Sequence, residues 1–230
     1  MKNYVIAFLL SLAFNACDSH AQTTKPLSPQ AFEEKIKKEK VQVLDVRTAD
    51  EFRKGHIKGA LQADWWNSKE FEDRTQHLDH SVPVMVYCAS GGRSASAAEA
   101  LRKKGYSVYD LEGGMTNWKK QALPVEGAAE TAQYTMDDFN KLVTQADVVL
   151  VDFGAEWCPP CRKMEPVLKQ LQSDLAGKFT LVKIDGGVHT TLMNQLNVGS
   201  LPHFLVYKKG QQTFSKQGIM SLDELKKALQ

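Results

Sequence analysis

Cysteine is scarce in this chain: four in 230 residues. That excludes a disulfide framework, because Cys158 and Cys161 are the only close pair while Cys17 and Cys88 stand alone. Cysteines so few and so placed point to sulfur atoms that react. A charge excess is missing too. With 29 basic and 27 acidic side chains the formal net charge is +2, which excludes the strongly basic surface of a nucleic-acid binder. The lysines at Lys35, Lys37, Lys38 and Lys40 read as the solvated face of a helix. No internal repeat joins the two halves. The apolar run Val5–Phe14 falls short of the roughly 20 residues of a membrane-spanning helix. What is present is 43% apolar and 24% charged, a composition that builds ordinary cores. The length suits two domains of about 100 residues each.

The N-terminal run follows a single lysine and is followed at once by polar residues, as in the core of a signal peptide. Residues 1–21 are therefore expected to be a signal peptide and N-terminal tether, and the protein to be exported. The segment Phe14-Asn15-Ala16-Cys17 resembles the lipobox of bacterial lipoproteins, with Phe14 where leucine is usual. The resemblance implies lipidation at Cys17 and anchoring on the periplasmic side of a cell-envelope membrane; two or more acyl chains anchor firmly where one is marginal. Ordinary secretion with cleavage after Ala21 is the other reading.

Beyond this, short valine-rich runs alternate with helical patterns. Ser28 with Pro29 opens a helix to about residue 39. Strands are expected at 41–46 and 82–88, a turn-rich passage at 55–60, a helix from Ser94 to Lys104, and a third strand in SVYDL. Short apolar strands alternating with helices make an α/β unit with a parallel sheet. Pro124 and Gly127 then interrupt the pattern. The first domain is placed at 28–124, a linker at 125–132 and a second domain at 133–230. In the second, Thr135 and Asp138 form a capping box, DVVLVDF is a central strand, and a helix runs from the CPPC to about residue 175. FTLVKID is the next strand, a hairpin turns at Lys209-Gly210, and Ser221 with Glu224 caps the last helix.

Two chemical centres stand out. Cys88 ends an apolar strand and is followed by the loop ASGGR. Gly91 and Gly92 let the backbone curl with its N–H groups inward, making an anion-binding nest beside a helix start. A cysteine there is biased toward thiolate, and Arg93 can grip an oxyanion with two donors. An inert buried cysteine is the bland alternative; a nucleotide-binding P-loop lacks its lysine and spacing. The stretches LDVRTADEFRKGHIKGA, YCASGGRSASAAEALRKKGY and LEGGMTNWKK resemble the rhodanese family over about residues 28–124. The resemblance implies that Cys88 accepts a sulfane sulfur as a persulfide held by the loop and Arg93. It implies supporting roles without chemistry for Asp45, Arg47, Glu51, His56 and Gly59, and a packing role for Trp118. Dual-specificity phosphatases place five residues between cysteine and arginine; here four intervene, which suits sulfur rather than phosphate.

The second centre is Cys158-Pro159-Pro160-Cys161 at the start of a helix. There the first cysteine becomes the attacking thiolate and the second, one turn in, closes a disulfide. Asp152, in the preceding strand, is placed to move a proton for Cys161 if buried. A zinc site needs about four ligands, and only His203 offers a third, so no metal and no cofactor are expected. VLVDFGAEWCPPCRKMEPVL with Leu201-Pro202 resembles thioredoxin over residues 131–230. That implies a thioredoxin fold with a mixed central sheet, a cis-proline at Pro202 beside the dithiol, a buried Asp152–Lys183 pair and a structural Gly218. Gly154 stands where tryptophan is usual and Pro159 where glycine is common, changes that bear on substrate range and potential.

Together the two resemblances imply a thiol-disulfide oxidoreductase combined with a persulfide-forming sulfurtransferase. Its partners would be protein thiols or disulfides, a sulfane-sulfur donor and an envelope reductant, with no nucleic acid. The alternative is a general envelope disulfide reductase whose first domain recruits partners.

Overall fold

A computed structural model of the chain describes residues 25–127 and 132–230. Cys17, the signal segment and part of the expected linker lie outside the described residues. Helix α1 (Pro29–Lys38) begins where Ser28 accepts a hydrogen bond from the Ala31 amide. Its lysines Lys35, Lys37 and Lys38 pair with glutamates four residues earlier or later, the solvated face expected of them.

Strands β1 (Gln42–Asp45), β2 (Leu61–Gln62), β3 (Val84–Tyr87) and β4 (Val108–Asp110) form an all-parallel sheet in the order β2-β1-β3-β4. Each strand is buried on both faces, so the runs are apolar throughout rather than alternating. Leu44, Val84 and Val86 pack on one side with Ala97, Ala98 and Leu101. Val43, Met85 and Tyr87 pack on the other with Phe32 and Trp118. Trp118 is a packing residue, and its indole N–H also donates to the Pro124 carbonyl.

Between β1 and β3 the chain forms more than the turn-rich passage expected. It adds α2 (Ala49–Arg53), the two-residue β2 and α3 (Ser68–Thr75). Helix α4 (Gly92–Lys103) starts two residues before Ser94. Arg93 therefore sits in a helical first turn and not in the loop, because Gly91, at φ 104°, turns the chain into the helix at once. Helix α5 (Gly114–Lys120) follows β4.

The second unit opens with α6 (Met136–Val143), whose Thr135–Asp138 capping box is formed. Strands β5 (Val148–Gly154), β6 (Thr180–Asp185), β7 (His203–Lys208) and β8 (Gln211–Gln217) form a mixed sheet in the order β6-β5-β7-β8. β5 is parallel to β6 and antiparallel to β7. β8 is mostly exposed and polar, as an edge strand that avoids further pairing should be. Helix α7 (Pro159–Asp174) starts at the CPPC, and α9 (Leu222–Leu229) closes the fold behind its Ser221–Glu224 capping box. Helix α8 (Thr190–Gln195) was not anticipated: it is six residues long, and its N-cap, His189, makes no side-chain capping bond.

The two units touch through the residue before the CPPC. The Gln62 amide on the β2 edge donates to the Trp157 carbonyl at 2.9 Å. The Trp157 ring lies 5.6 Å from Phe52, and the Arg74 guanidinium stands 5.0 Å above it.

Candidate functional site: a nested thiol and a helix-capping disulfide

Cys88 follows β3 and is a buried free thiol. The Gly91 N–H donates to its Sγ at 3.1 Å. Burial by itself raises the thiol pKa. Hydrogen bonds from the Ser94 hydroxyl and from the Ser94, Ser90 and Gly91 amides outweigh it, so the pKa lies below its ordinary value. Of the two glycines expected to form the nest, Gly91 donates to the sulfur, with Ser90 and Ser94 as unforeseen donors, while Gly92 is the first residue of α4.

The loop is shaped from behind by α5. The amides of Met115 and Thr116 donate to the Cys88 and Ala89 carbonyls at 2.8 and 2.9 Å, and the Thr116 hydroxyl donates to the Ala89 carbonyl at 2.9 Å. With the carbonyls held outward, the loop amides are free to face the sulfur. Gly114 makes this approach possible: a Cβ there would lie 2.4 Å from the Cys88 carbonyl oxygen, and its φ is +55°. The sequence signal was the Gly113-Gly114 pair just after β4, which only the contact explains.

Arg93 points at Glu51. Its two terminal nitrogens donate to both carboxylate oxygens at 2.8 and 2.7 Å. Arg93, with the Thr48 cap, holds the Glu51 pKa down to about 2. The guanidinium also lies 4.1 Å from the ring of Trp66, which is 70% exposed. Glu51 was read as a supporting residue without chemistry; the structure makes it the partner of the arginine beside the thiol. Asp45 and Arg47 form a buried pair, with the Arg47 side chain also donating to the Gly55 carbonyl at 2.8 Å.

In the second unit Cys158 and Cys161 form a disulfide. Cys158 is the N-cap of α7 with Pro159 at its first position, and the Cys161 amide points to the Cys158 sulfur at 3.3 Å. A helix start of this kind stabilises a thiolate once the bond is reduced. The Leu201–Pro202 bond is cis, and both residues line a cavity of about 480 Å³ that also includes Pro160. Asp152 is buried, and burial pushes its pKa up to about 6, with Glu165 adding to the rise and Lys183 opposing it. Lys183 is in register with Asp152 but exposed. The buried pair implied by the resemblance is thus half formed, since the lysine side chain remains in water. A Cβ at Gly154 would come within 3.3 Å of the Asp152 carboxylate, so the glycine leaves room over that group.

A parallel sheet with a nested thiol, followed by a mixed sheet whose central strand leads into a disulfide at a helix start, defines a two-unit protein of sulfur chemistry. The rhodanese-like domain model matches residues 28–121 and the thioredoxin model residues 130–230. Thioredoxin of Rickettsia felis is 32% identical over 92 residues, covering 40% of this chain and 88% of that protein. A thioredoxin-like protein of Synechocystis is 38% identical over 82 residues, covering 36% of this chain and 78% of its own length. The chain belongs to the thioredoxin family through its second domain, which follows a rhodanese-like domain. It spans 58% of the chloroplastic thioredoxin Y of rice, at 32% identity over 42% of this chain. Among solved structures, a rhodanese-related protein from Thermoplasma volcanium is 30% identical, covering 45% of this chain and 98% of that one, with a TM-score of 0.41.

Proposed function

We propose that the protein is a thiol-disulfide oxidoreductase coupled to a persulfide-forming sulfurtransferase. The observation that carries this reading is the pair of activated sulfur centres. The Cys88 sulfur accepts an amide hydrogen bond and has a lowered pKa, and Cys158 caps a helix in a disulfide with Cys161. In the first half-reaction the Cys88 thiolate attacks the outer sulfur of a donor such as thiosulfate. A sulfur–sulfur bond forms at Cys88, and sulfite leaves with the electron pair of the bond that breaks. The amides of Ser90, Gly91 and Ser94 and the Arg93 charge support the anionic persulfide.

In the second, the Cys158 thiolate takes the outer sulfur and returns Cys88 as thiolate. Cys161 then attacks the Cys158 sulfur, hydrosulfide leaves, and the disulfide remains. Asp152 accepts the Cys161 proton. An envelope reductant or a protein dithiol restores the cycle, and the same dithiol reduces protein disulfides. Tethering raises the effective concentration of each centre for the other. Export, with a lipid anchor at Cys17 on the periplasmic side of the envelope, belongs to the same proposal and rests on the N-terminal sequence. A second reading, a general disulfide reductase whose first domain recruits partners, is favoured by the direct contact of that domain with Trp157.

Mass spectrometry of the mature protein after thiosulfate or polysulfide treatment tests the proposal: 32 Da added at Cys88, with sulfide released once Cys158 and Cys161 are reduced, is expected from the mass of one sulfur. No added mass at Cys88 would leave only the second reading. The same measurement reports an acylated Cys17.

A further inference from the structure

An attacking thiolate must approach a disulfide sulfur along the line of the bond, so access governs the reaction as much as thiol acidity does. Here the approach is covered. Cys158 is 0% exposed and Cys161 8%. Pro159 and Pro160, at the tip of the motif, are buried too. The groups around this tip come from the first domain as well as the second. Trp157 is held on the β2 edge by the Gln62 amide, between Phe52 and the Arg74 guanidinium. Pro159 shares a cavity with Leu61 and His77 of the first domain. The cavity beside Pro160 and Pro202 is walled on its other side by α3, through Asn67, Glu70 and Arg74. Pro160 and Pro202 line it and neither cysteine does.

We propose that the rhodanese-like domain is a lid on the redox motif: docked on Trp157 through the β2 edge and α3, it seals the Cys158–Cys161 disulfide, which exchanges with a partner only when this contact opens. It rests on the reading above in one respect, that this disulfide is the reacting group. The contact is suited to opening. Among the described residues it is made by one backbone hydrogen bond, the Trp157 ring between Phe52 and Arg74, and the approach of α3 to α7, and a contact of this kind between domains opens more readily than either core. It also satisfies an otherwise free strand edge, since the Trp157 carbonyl takes the Gln62 amide that a further strand would use.

The charges around the second cavity supply a handle. Lys40, Lys58, Arg162 and Lys163 face Glu39 and Asp79 around His77. A further fixed positive charge at position 77 opposes closure because it faces Lys163, and reversal of the Lys163 charge opposes closure too, because Lys163 attracts Asp79 across the contact. The rate at which a neutral phosphine reduces the disulfide of the oxidised full-length chain reads the open fraction directly. Four chains are compared: wild type, His77→Arg, Lys163→Glu, and the double variant. Alkylation of Cys88 serves as the control for an intact first domain.

Wild type should be reduced at least about tenfold more slowly than an unhindered disulfide such as oxidised glutathione. His77→Arg and Lys163→Glu should each speed reduction about threefold, and the double variant, in which the two exchanged charges attract, should return toward wild type. If Cys88 reacts faster in His77→Arg, that variant is set aside. Lys163→Glu, which alters only an exposed side chain of the second domain, then decides with the wild-type rate. Reduction of wild type as fast as the small disulfide, or a Lys163→Glu rate no faster than wild type, overturns the lid. Phosphine kinetics as expected, without turnover of a protein disulfide even by His77→Arg, would count against the oxidoreductase reading and leave the lid standing.

Discussion

The Arg93 guanidinium donates to both oxygens of Glu51, at 2.8 and 2.7 Å, beside the Cys88 thiol. The positive charge expected to meet an anionic sulfur donor is thus partly committed within the protein. The same carboxylate closes the Thr48 capping box of α2, so one side chain ties α2 to the first turn of α4.

Glu51→Gln keeps an acceptor for the cap but removes the charge from Arg93. The KM for thiosulfate in a sulfur-transfer assay should fall several-fold, because the arginine is released to the donor anion. The first domain should lose about 1 kcal/mol of stability, the scale of a half-buried ion pair. Chemical denaturation measures this cost independently of the assay.

Ser94→Ala takes away the hydroxyl that helps lower the Cys88 pKa. The alkylation profile of Cys88 should move to higher pH, and its rate at pH 7 should fall, because less of the sulfur is thiolate. An unchanged profile would mean that the loop amides alone set the acidity.

Gly114→Ala places a methyl group where the Cys88 carbonyl oxygen stands, in a backbone region that disfavours side chains. A loss of about 2–3 kcal/mol is expected from strain at such a position. Persulfide loading of Cys88 should also be lost. The substitution leaves the second domain intact, so its disulfide should still form, as a gel-shift thiol count will show.

Asp152 gives a pH dependence with a definite sign. Its folded pKa is about 6 against an ordinary 3.8, so the folded state prefers the protonated acid. That contribution is complete below about pH 4 and is lost as pH rises through 6. Asp152→Asn should therefore stabilise the second domain at pH 7 by about 2–3 kcal/mol and change little at pH 4. Reduction of a protein disulfide by the variant should be slower at pH 7, since the acceptor for the Cys161 proton is gone. Thermal melts at both pH values and a turnover assay report the two effects separately.

Much of the fold was legible because its signals are local. Ser28-Pro29, Thr135–Asp138 and Ser221–Glu224 announce helix starts by chemistry within four residues, and all three caps are formed. The valine-rich runs gave β1, β3 and β5 to within two residues at each end. Elements without such marks were missed. The two residues of β2 have no period to detect, and α8 has neither an acidic first turn nor a capping side chain. Glu51 and Arg93 lie 42 residues apart, and nothing in either segment alone indicates that they meet.

The order of residues along the chain was enough to place Cys88 at a glycine loop and the Cys158–Cys161 pair at a helix start, because each depends on neighbours a few positions away; the cis bond at Pro202 was expected only from the resemblance to thioredoxin. Tertiary structure alone decided that Gly114 props the loop, that Lys183 stays in water while Asp152 is buried, and that Trp157 lies against β2 with the disulfide covered. Those outcomes depend on which surfaces meet after the chain has folded back on itself. Packing and the loss of water set them, and neither is written in any short stretch of sequence.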